Sequence, residues 1–211
     1  MLANKITLND KVLIDLTEDT AVEADVLEGK TFHKADGSIA VGTAKLGGSG
    51  NADLLYDNDK AKEQTEINLP NVETLLMNAF YNRNDIYATS IVAPKLKNIG
   101  IMAFASCTNL ALTALPENMS GYIANQAFQY CTNLKITHIP AGVTELRGYC
   151  FQGCTGLTSI TFKGKPTSIA YNAFRDCTNL KEIKVPWADG EIAEAPWGAT
   201  NAKVTYGYTE G

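Results

Sequence analysis

The residues best suited to chemistry in this chain are its five cysteines and two histidines. An odd number of cysteines cannot all pair within one chain. No Cys-x-x-Cys occurs, and neither His33 nor His138 falls in step with the cysteines, so the spacing argues against zinc. The nucleophile-elbow, zinc-protease and phosphate-loop motifs do not occur in the sequence either. We therefore expect no enzyme activity, no catalytic residue, no metal site and no cofactor.

Four of the cysteines share one place in a repeated pattern. Six aromatic residues recur at intervals of 24, 24, 23, 23 and 23 residues: Phe80, Phe104, Phe128, Phe151, Phe174 and Trp197. Three residues after each of the middle four comes a cysteine: Cys107, Cys131, Cys154 and Cys177. An aliphatic residue stands five positions before each aromatic: Leu75, Ile99, Ile123, Leu146, Ile169 and Ile192. A fixed period of this length is the signature of a solenoid, in which successive repeats stack.

The stacking of repeats predicts how the cysteines behave. Neighbouring strands lie about 4.8 Å apart, a separation that leaves a disulfide between adjacent repeats open. Free cysteine is, however, a small and readily buried apolar residue, so we expect a ladder of buried thiols. Two positions beyond the cysteine, residues such as Asn109 and Asn133 indicate a turn in which the side chain bonds nearby main chain.

Each repeat also contains the elements that would position these residues. The Ala-Phe-x-x-Cys segment is compact and predicts a helical or 3₁₀ turn. Alternating polarity follows, as in Thr137–Pro140, and predicts a short half-buried strand. No single unit buries its own apolar residues, so stacking is required. The expected fold class is an α/β repeat: a solenoid with a parallel sheet on one side and short helical or 3₁₀ turns on the other, plus a small N-terminal α+β module.

The repeat resembles a known family. The pattern Ala-Phe-x-x-Cys-x-x-Leu, followed by a strand and Ile-Pro, is similar to the BspA-type leucine-rich repeat over roughly residues 66–206. The resemblance implies a curved solenoid, a surface or extracellular protein concerned with adhesion, and no catalytic residues in the motif. The ends depart from the pattern, because Arg83 takes the first cysteine position and Trp197 the last phenylalanine position. Terminal repeats cap the core, and the expected C-terminal cap comprises Trp197, Val204, Tyr206 and Tyr208.

Composition and charge narrow the classes of partner. The chain has 211 residues, 45% of them apolar, and a net charge of −5 without a basic patch, so neither nucleic acid nor an anionic membrane is an expected partner. No apolar stretch approaches the roughly 20 residues that span a bilayer, so we expect no membrane insertion. The N-terminal residues Met1–Ile6 lack an apolar signal core. Either the chain is not secreted by the general route or a signal precedes this sequence.

The first fifty residues differ from the repeats. Residues 1–46 are expected to form a small attachment or oligomerisation module, 47–65 a linker and N-terminal cap, and 66–211 a solenoid of about six repeats with its C-terminal cap. In the first module the sequence predicts a hairpin, a short helix and a second hairpin. These elements are Lys5–Leu8 with Val12–Leu16, then Thr20–Gly29, then Thr31–His33 with Ser38–Val41.

The N-terminal segment also resembles a known type of module. The stretches 12–20, 25–31 and 36–43 are similar to a module of tail-associated proteins in phages and prophages of Gram-positive gut bacteria. The resemblance implies an extracellular virion tail protein, trimeric if it is a tail fibre, whose residues 1–46 meet assembly partners. Its repeats would bind a host cell-surface protein or glycan. A bacterial cell-surface adhesin and a structural spacer without a ligand remain the alternatives.

The positions between the repeating residues are where a ligand would bind. Counting the strand alternation outward places Leu112 and Ile136 in an apolar patch on the outer face, with His138 on the same face. This patch either contacts a partner or packs beneath a neighbouring element. Tyrosine offers a rigid face with a polar tip, which suits carbohydrate or protein contact. The candidate tyrosines near the turns are Tyr122, Tyr130, Tyr149 and Tyr171, with Tyr81 as a further exposed one.

Overall fold

The computed structural model describes four strands within residues 1–51 and the continuous stretch 65–209. The first four strands are β1 Lys5–Leu8, β2 Lys11–Asp15, β3 Thr31–His33 and β4 Ile39–Val41. Internal contacts divide the chain into two compact units, Met1–Asn51 and Ala52–Gly211.

The N-terminal unit contains the two hairpins that the sequence predicts. Strands β1 and β2 pair antiparallel with Lys5 opposite Asp15, and β3 and β4 pair antiparallel with Thr31 opposite Val41. The short helix predicted over Thr20–Gly29 lies outside the described residues.

Within residues 65–209, eleven short strands build the second unit. They are β5 Glu66–Asn68, β6 Thr74–Leu75, β7 Ser90–Val92, β8 Asn98–Ile99, β9 Tyr122–Ile123, β10 His138–Ile139, β11 Glu145–Leu146, β12 Ser159–Phe162, β13 Ser168–Ile169, β14 Glu182–Lys184 and β15 Lys203–Thr205. One parallel sheet runs β6-β8-β9-β11-β13, another runs β10-β12-β14-β15, and β5 pairs with β7. Partners in the sheets are one repeat apart, such as Glu145 beside Ser168, so the chain advances by one strand position per repeat. This confirms the predicted parallel-sheet solenoid.

The aromatic residues form the centre of the core. Five phenylalanine rings stack face to face along the solenoid, with neighbouring ring centroids 4.9–5.4 Å apart and interplanar angles of 3–9°. Trp197 continues the backbone ladder, since the Phe174 N–H donates to its carbonyl at 2.9 Å. Its ring packs instead against Phe162 and Trp187. The enlarged aromatic is fully buried and closes the C-terminal end of the stack.

The cysteines form the predicted ladder of buried free thiols. Each thiol in the repeated position donates to the phenylalanine carbonyl of the preceding repeat. The Sγ···O distances are 2.9 Å for Cys107 and Cys131 and 3.0 Å for Cys154 and Cys177. A small apolar residue therefore fills the core and also satisfies a buried main-chain acceptor.

The asparagines after the cysteines join repeats in the same way. The Asn133 Nδ2 group donates to the Thr108 carbonyl at 2.8 Å, and Asn109, Asn179 and Asn201 make the equivalent bond to the preceding repeat. These side chains bond main chain as predicted, although none of the four has the left-handed backbone that asparagine tolerates. Gly156 replaces asparagine in the fourth repeat, where any Cβ would lie 2.5 Å from the Leu134 carbonyl oxygen.

The predicted helical or 3₁₀ turns are not confirmed, since no helix forms within residues 65–209. In the third repeat the N–H groups of Ala127 and Gln129 bond three residues back. Those of Gln126, Phe128 and Tyr130 instead donate to carbonyls of the fourth repeat. Both Gln126 and Tyr130 have a left-handed φ of 59°. Every second amide in the turn thus donates to the neighbouring repeat, whereas in an α-helix each amide donates to a carbonyl of its own helix.

The predicted apolar patch on the outer face is wrong, because Leu112 and Ile136 are buried in the core. The buried residues of the strand segment are Leu134, Ile136 and Ile139 in the third repeat and Leu157, Ile160 and Phe162 in the fourth. In each repeat, two of these buried residues are two positions apart and the other pair is three positions apart. The three-residue step lies between Ile136 and Ile139 in the third repeat, and between Leu157 and Ile160 in the fourth. Residues aligned with the half-exposed Ser159 therefore point inward in the earlier repeats.

Candidate functional site

The structure separates the predicted binding residues into three groups. Leu112 and Ile136 belong to the core, and His138 lies on the outer face of β10. The four tyrosines lie elsewhere: Tyr122 is on β9, and Tyr130, Tyr149 and Tyr171 are in the turns of the third, fourth and fifth repeats.

His138 takes part in an ionic cluster that links three repeats. Its Nε2 lies 2.5 Å from Glu117 Oε1, and the Lys163 ammonium donates to the same oxygen at 2.9 Å. Partial burial raises the pKa of Glu117, but hydrogen bonds from Lys163 and His138 outweigh it and lower the pKa below its ordinary value. Only 15% of the His138 side chain is exposed, so this histidine is largely occupied by its partners.

The tyrosines of the third to fifth repeats share what we call the turn face. It comprises the exposed and half-exposed residues Gln126, Gln129, Tyr130, Tyr149, Tyr171, Arg175 and Asp176, together with the buried polar residues Gln152 and Asn172. Tyr130 and Tyr171 are strongly exposed, at 47% and 61%. The inward residues of the same turns, such as Phe128 and Cys131, are fully buried. One side of each turn therefore packs in the core, and the other side carries the polar and aromatic residues of the turn face.

Two of these tyrosines occupy strained backbone positions. Tyr130 has a φ of 59° and Tyr149 a φ of 60°. Left-handed backbone favours glycine and asparagine and is disfavoured for bulky residues. The residues in the position of Tyr130 in other repeats are the smaller Asn82, Ser106, Gly153 and Asp176, all with positive φ. A tyrosine kept where a small residue fits better points to a role other than packing.

The Tyr130 ring rests on the next repeat. A Cβ built on Gly153 would lie 2.5 Å from Cδ1 of Tyr130, so the glycine leaves room for the ring to lie against main chain. The Tyr130 amide also donates to the Gln152 carbonyl at 2.7 Å. One side of the ring is thus supported by the protein while the residue remains about half exposed.

The Tyr149 side chain is held by the fifth repeat. Hydrogen bonds from Asn172 and from Tyr171 lower the pKa of the Tyr149 hydroxyl, and Arg175 adds to the effect. The Asn172 side chain is itself buried, and its Oδ1 accepts the Tyr149 main-chain N–H at 3.3 Å. The structure therefore brings Tyr149 and Tyr171 together, as neighbours in adjacent repeats.

A chain of amides fixes the middle of the turn face. Gln126 donates to Gln129 at 3.0 Å, Gln129 to Gln152 at 2.6 Å, and Gln152 to the Asp176 carboxylate at 3.0 Å. The chain crosses three repeats, and Gln152 is bonded in turn to the Tyr149 carbonyl through its main-chain N–H. Because each amide is held by its neighbour, their remaining donors and acceptors have defined directions.

Tyr122 lies on the adjoining sheet. The Arg147 guanidinium carbon is 4.0 Å from the Tyr122 ring centroid, and Arg147 Nε donates to Glu145 at 2.9 Å. This cation–π contact and ion pair occupy one side of the tyrosine.

Sequence reasoning identified the tyrosines but missed their polar neighbours. The glutamines, Asn172 and Arg175 lie one or two positions from the aromatic of their repeat, where the residue type changes from one repeat to the next. That variation is the signal that marks them, because packing dictates the residue at the inward positions and leaves the outward ones free.

The thiols are not suited to nucleophilic chemistry. Burial raises the pKa of Cys107 and Cys177 to about 12 and moves that of Cys131, Cys150 and Cys154 well above its ordinary value. The reactive thiolate is therefore scarce at neutral pH. Within the described residues, no group of three or more His, Cys, Asp and Glu side chains is placed to hold a metal ion. No helix in that part of the chain is long and apolar enough to cross a membrane.

Comparison with known proteins gives the family. A family model described as the BspA type leucine rich repeat region matches six copies over residues 59–122 and 97–194. The matches span more than half of the 211 residues. The chain belongs to the BspA-type leucine-rich repeat family. Members of this family are generally protein-binding or adhesion proteins and are typically not enzymes.

Two solved structures of leucine-rich repeat proteins are similar to this BspA-type chain. One is TpLRR of T. pallidum, 24% identical with a TM-score of 0.54, covering 69% of this chain and 71% of that one. The other is from Bacteroides ovatus, 21% identical with a TM-score of 0.51, covering 87% of this chain and 46% of that one. These similarities support the fold. No curated protein matches the sequence.

Proposed function

We propose that this chain is a recognition protein whose turn face binds a ligand on the surface of a cell. The observation that carries the proposal is the pair Tyr130 and Tyr149, held in left-handed backbone on an outward surface. Neither tyrosine is needed to fill the core, since the stacked phenylalanines do so. Exposed tyrosines set among oriented amides are typical of surfaces that bind other molecules.

We further propose that the protein is a phage or prophage tail-associated protein, located on the virion tail. The support is the similarity of residues 12–43 to modules of such proteins, together with the recognition repeats that follow. In this proposal residues 1–46 bind assembly partners, and the repeats bind a host cell-surface protein or glycan. A trimeric assembly is expected if the protein is a tail fibre.

Two other functions compete with this one. A bacterial cell-surface adhesin uses the same repeats, and a structural spacer uses them without a ligand. Tail genes on both sides of the coding sequence support the tail protein, whereas a secretion signal encoded upstream supports the adhesin. A strict monomer in multi-angle light scattering contradicts the tail-fibre form.

A cell-binding assay tests the recognition function itself. Fluorescently labelled full chain is mixed with intact Gram-positive gut bacteria and with their isolated cell walls, and the pelleted fluorescence is measured. We expect saturable binding that the triple variant Tyr130→Ala, Tyr149→Ala, Tyr171→Ala abolishes. Tyr81→Ala is the matched control, since Tyr81 is an exposed turn tyrosine of the first repeat. Absence of binding to every cell and wall preparation overturns the proposal in favour of the spacer.

A further inference from the structure

We infer that the N-terminal end of the stacked turns is a docking surface for a segment of the same chain. The segment is residues 52–60, which lie outside the described residues and shortly precede the first strand of the solenoid. In this docking Tyr56 stacks on Phe80 and continues the row of aromatic rings by one repeat. The docking is independent of the ligand binding proposed above.

The turn of the first repeat presents a row of main-chain acceptors. In the inner turns every second amide donates to the following repeat, as the Phe104 N–H does to the Ala127 carbonyl at 2.8 Å. The carbonyls in the equivalent positions of the first turn are those of Met77, Ala79 and Tyr81. Within residues 65–209 no main-chain N–H donates to them. Such a row is a template for another stretch of backbone, and its partner has to supply N–H groups at every second residue.

The side chains beside this row are apolar and exposed. Leu76 is 73% exposed, Met77 64% and Tyr81 51%. Residues 76–82 carry no charge, so the surface suits a partner that covers apolar side chains rather than an ionic one. We call the three acceptors and these side chains the open edge.

The register of the first strands shows which residue comes next in the aromatic stack. Phe80 stacks on Phe104 with ring centroids 4.9 Å apart, and no other ring among the described residues stacks on it. Strand β5 pairs with β7 with Glu66 opposite Ser90, a step of 24 residues. The same step back from Phe80 leads to Tyr56. Tyrosine suits the last place in the stack, because its ring can pack on phenylalanine while its hydroxyl reaches water.

Charge also matches at this register. Asp59 lies one step of 24 residues before Arg83, so the docked segment brings a carboxylate to the residue that takes the first cysteine position. Arg83 already donates through Nε and Nη2 to Asp85, at 2.8 and 2.7 Å, and a guanidinium has further donors for a second carboxylate. Asn51 departs from the repeat by taking the aliphatic position. Polar residues are expected in a terminal repeat, because one side of it meets solvent.

A second copy of the chain does not offer a matching surface. Two open edges brought together present only carbonyls to each other. At the C-terminal end, the Trp197 N–H donates to Glu194 at 2.9 Å and the Ala199 N–H to Pro196 at 3.0 Å, so these amides bond within their own turn. The upstream segment, which joins the solenoid at Thr65, is therefore the occupant that the open edge fits.

Disulfide cross-linking of the full chain tests this docking. Gln129 and Gln152, which each follow the aromatic of their repeat, touch across neighbouring repeats at 2.6 Å. The equivalent positions at the open edge are Asp57 and Tyr81. The double variant Asp57→Cys, Tyr81→Cys is incubated with oxidised glutathione, and its disulfides are mapped by mass spectrometry. The five native thiols are buried and should stay reduced.

We expect an intramolecular disulfide between positions 57 and 81. It should form about tenfold faster than the one in the control Asp53→Cys, Tyr81→Cys, because residue 53 is out of register with residue 81. Tyr56→Ala should also lower the melting temperature by several degrees, whereas Asp53→Ala should leave it unchanged.

Three results would overturn the docking. Equal rates of cross-linking in the two double variants would show that the segment is not held in register. A disulfide between two chains in place of the intramolecular one would show that a second copy occupies the edge. An unchanged melting temperature in Tyr56→Ala would show that no ring at this position stacks on Phe80. Cell binding through the turn face can succeed or fail separately from each of these results.

Discussion

The two sides of one turn obey different rules. In the third repeat Ala127, Phe128 and Cys131 point inward and repeat almost unchanged along the chain, whereas Gln126 and Tyr130 point outward and do not. Inward positions are close-packed against the same residues of the next repeat, so their size and shape are fixed. Outward positions carry no such restriction. Positions whose residue type repeats along the chain therefore stabilise the fold, and positions whose residue type varies form the surface available for recognition.

The turns themselves divide into two regions along the solenoid. Those of the first two repeats expose apolar residues, including Leu76, Met77 and Ile101. Those of the third to fifth repeats expose tyrosines linked to glutamines, asparagine and arginine. The same backbone thus carries two chemically different surfaces. The first exposes aliphatic side chains and Tyr81, and the second sets the tyrosines of three successive repeats beside a hydrogen-bonded chain of amides.

Removing an inward aromatic should have the largest effect on stability. Phe128 is fully buried between two other phenylalanine rings, so Phe128→Ala should cost about 3–5 kcal/mol of unfolding free energy. This corresponds to a fall of roughly 10 °C in melting temperature, measured by circular dichroism. Melting within a degree or two of the parent would contradict the core ladder.

A smaller loss is expected where the two regions meet. Gly153 has a φ of 69°, and its missing Cβ leaves room for the Tyr130 ring. Gly153→Ala should cost about 1–2 kcal/mol in backbone strain and should displace the ring, weakening ligand binding as well. The double variant Gly153→Ala, Tyr130→Ala separates the two effects. The double variant retains the backbone strain of alanine at position 153 but lacks the Tyr130 ring. If it is as stable as the parent, the loss in Gly153→Ala came from crowding of that ring alone.

The asparagine ladder should contribute less per residue. Asn133→Ala removes one bond to the Thr108 carbonyl at an exposed site, so a loss of about 0.5–1.5 kcal/mol is expected in urea denaturation. Asn133→Asp keeps the shape but removes the donor, so it should lose at least as much. Full stability in Asn133→Asp would mean that the bond between repeats is unimportant.

The smallest effect is the pH dependence of the surface cluster. The pKa of Glu117 is lowered in the folded protein by its bonds to Lys163 and His138, despite partial burial. The stabilisation that the Glu117 carboxylate gives the folded protein is therefore present above the ordinary carboxyl pKa. It is lost as the pH falls through the lowered pKa of the folded state. Since the Glu117 side chain is 58% exposed, screening limits the gain to a few tenths of a kcal/mol. Glu117→Gln should flatten the stability curve by that amount in acid, and an unchanged curve would contradict the pairing.

Much of the fold follows from the sequence because stacking forces repetition. The period, the buried phenylalanines and the buried cysteines were all predictable from their spacing. The backbone of the turn was not, because its amides bond alternately within the turn and to the next repeat, as those of Gln126 and Ala127 do. Local sequence does not encode that pairing.

The candidate site was predictable only in part. Tyr130, Tyr149 and Tyr171 stood out as aromatic residues outside the inward pattern. Leu112 and Ile136 were misassigned because the three-residue step between buried positions lies at a different place in the strand in different repeats. A residue between those two places points inward in one repeat, while its equivalent in another repeat points outward. The amides around the tyrosines carry no motif, and only their contacts across repeats reveal them.

The melting temperature of the double variant Tyr130→Gly, Tyr149→Gly tests the central claim most directly. If these tyrosines serve recognition and the inward residues hold the fold, glycine relieves two left-handed positions. The variant should then melt at or above the temperature of the parent while losing binding to cells. A melting temperature several degrees below the parent would show that the tyrosines hold the solenoid together, and the division between the two sides of the turn would be wrong.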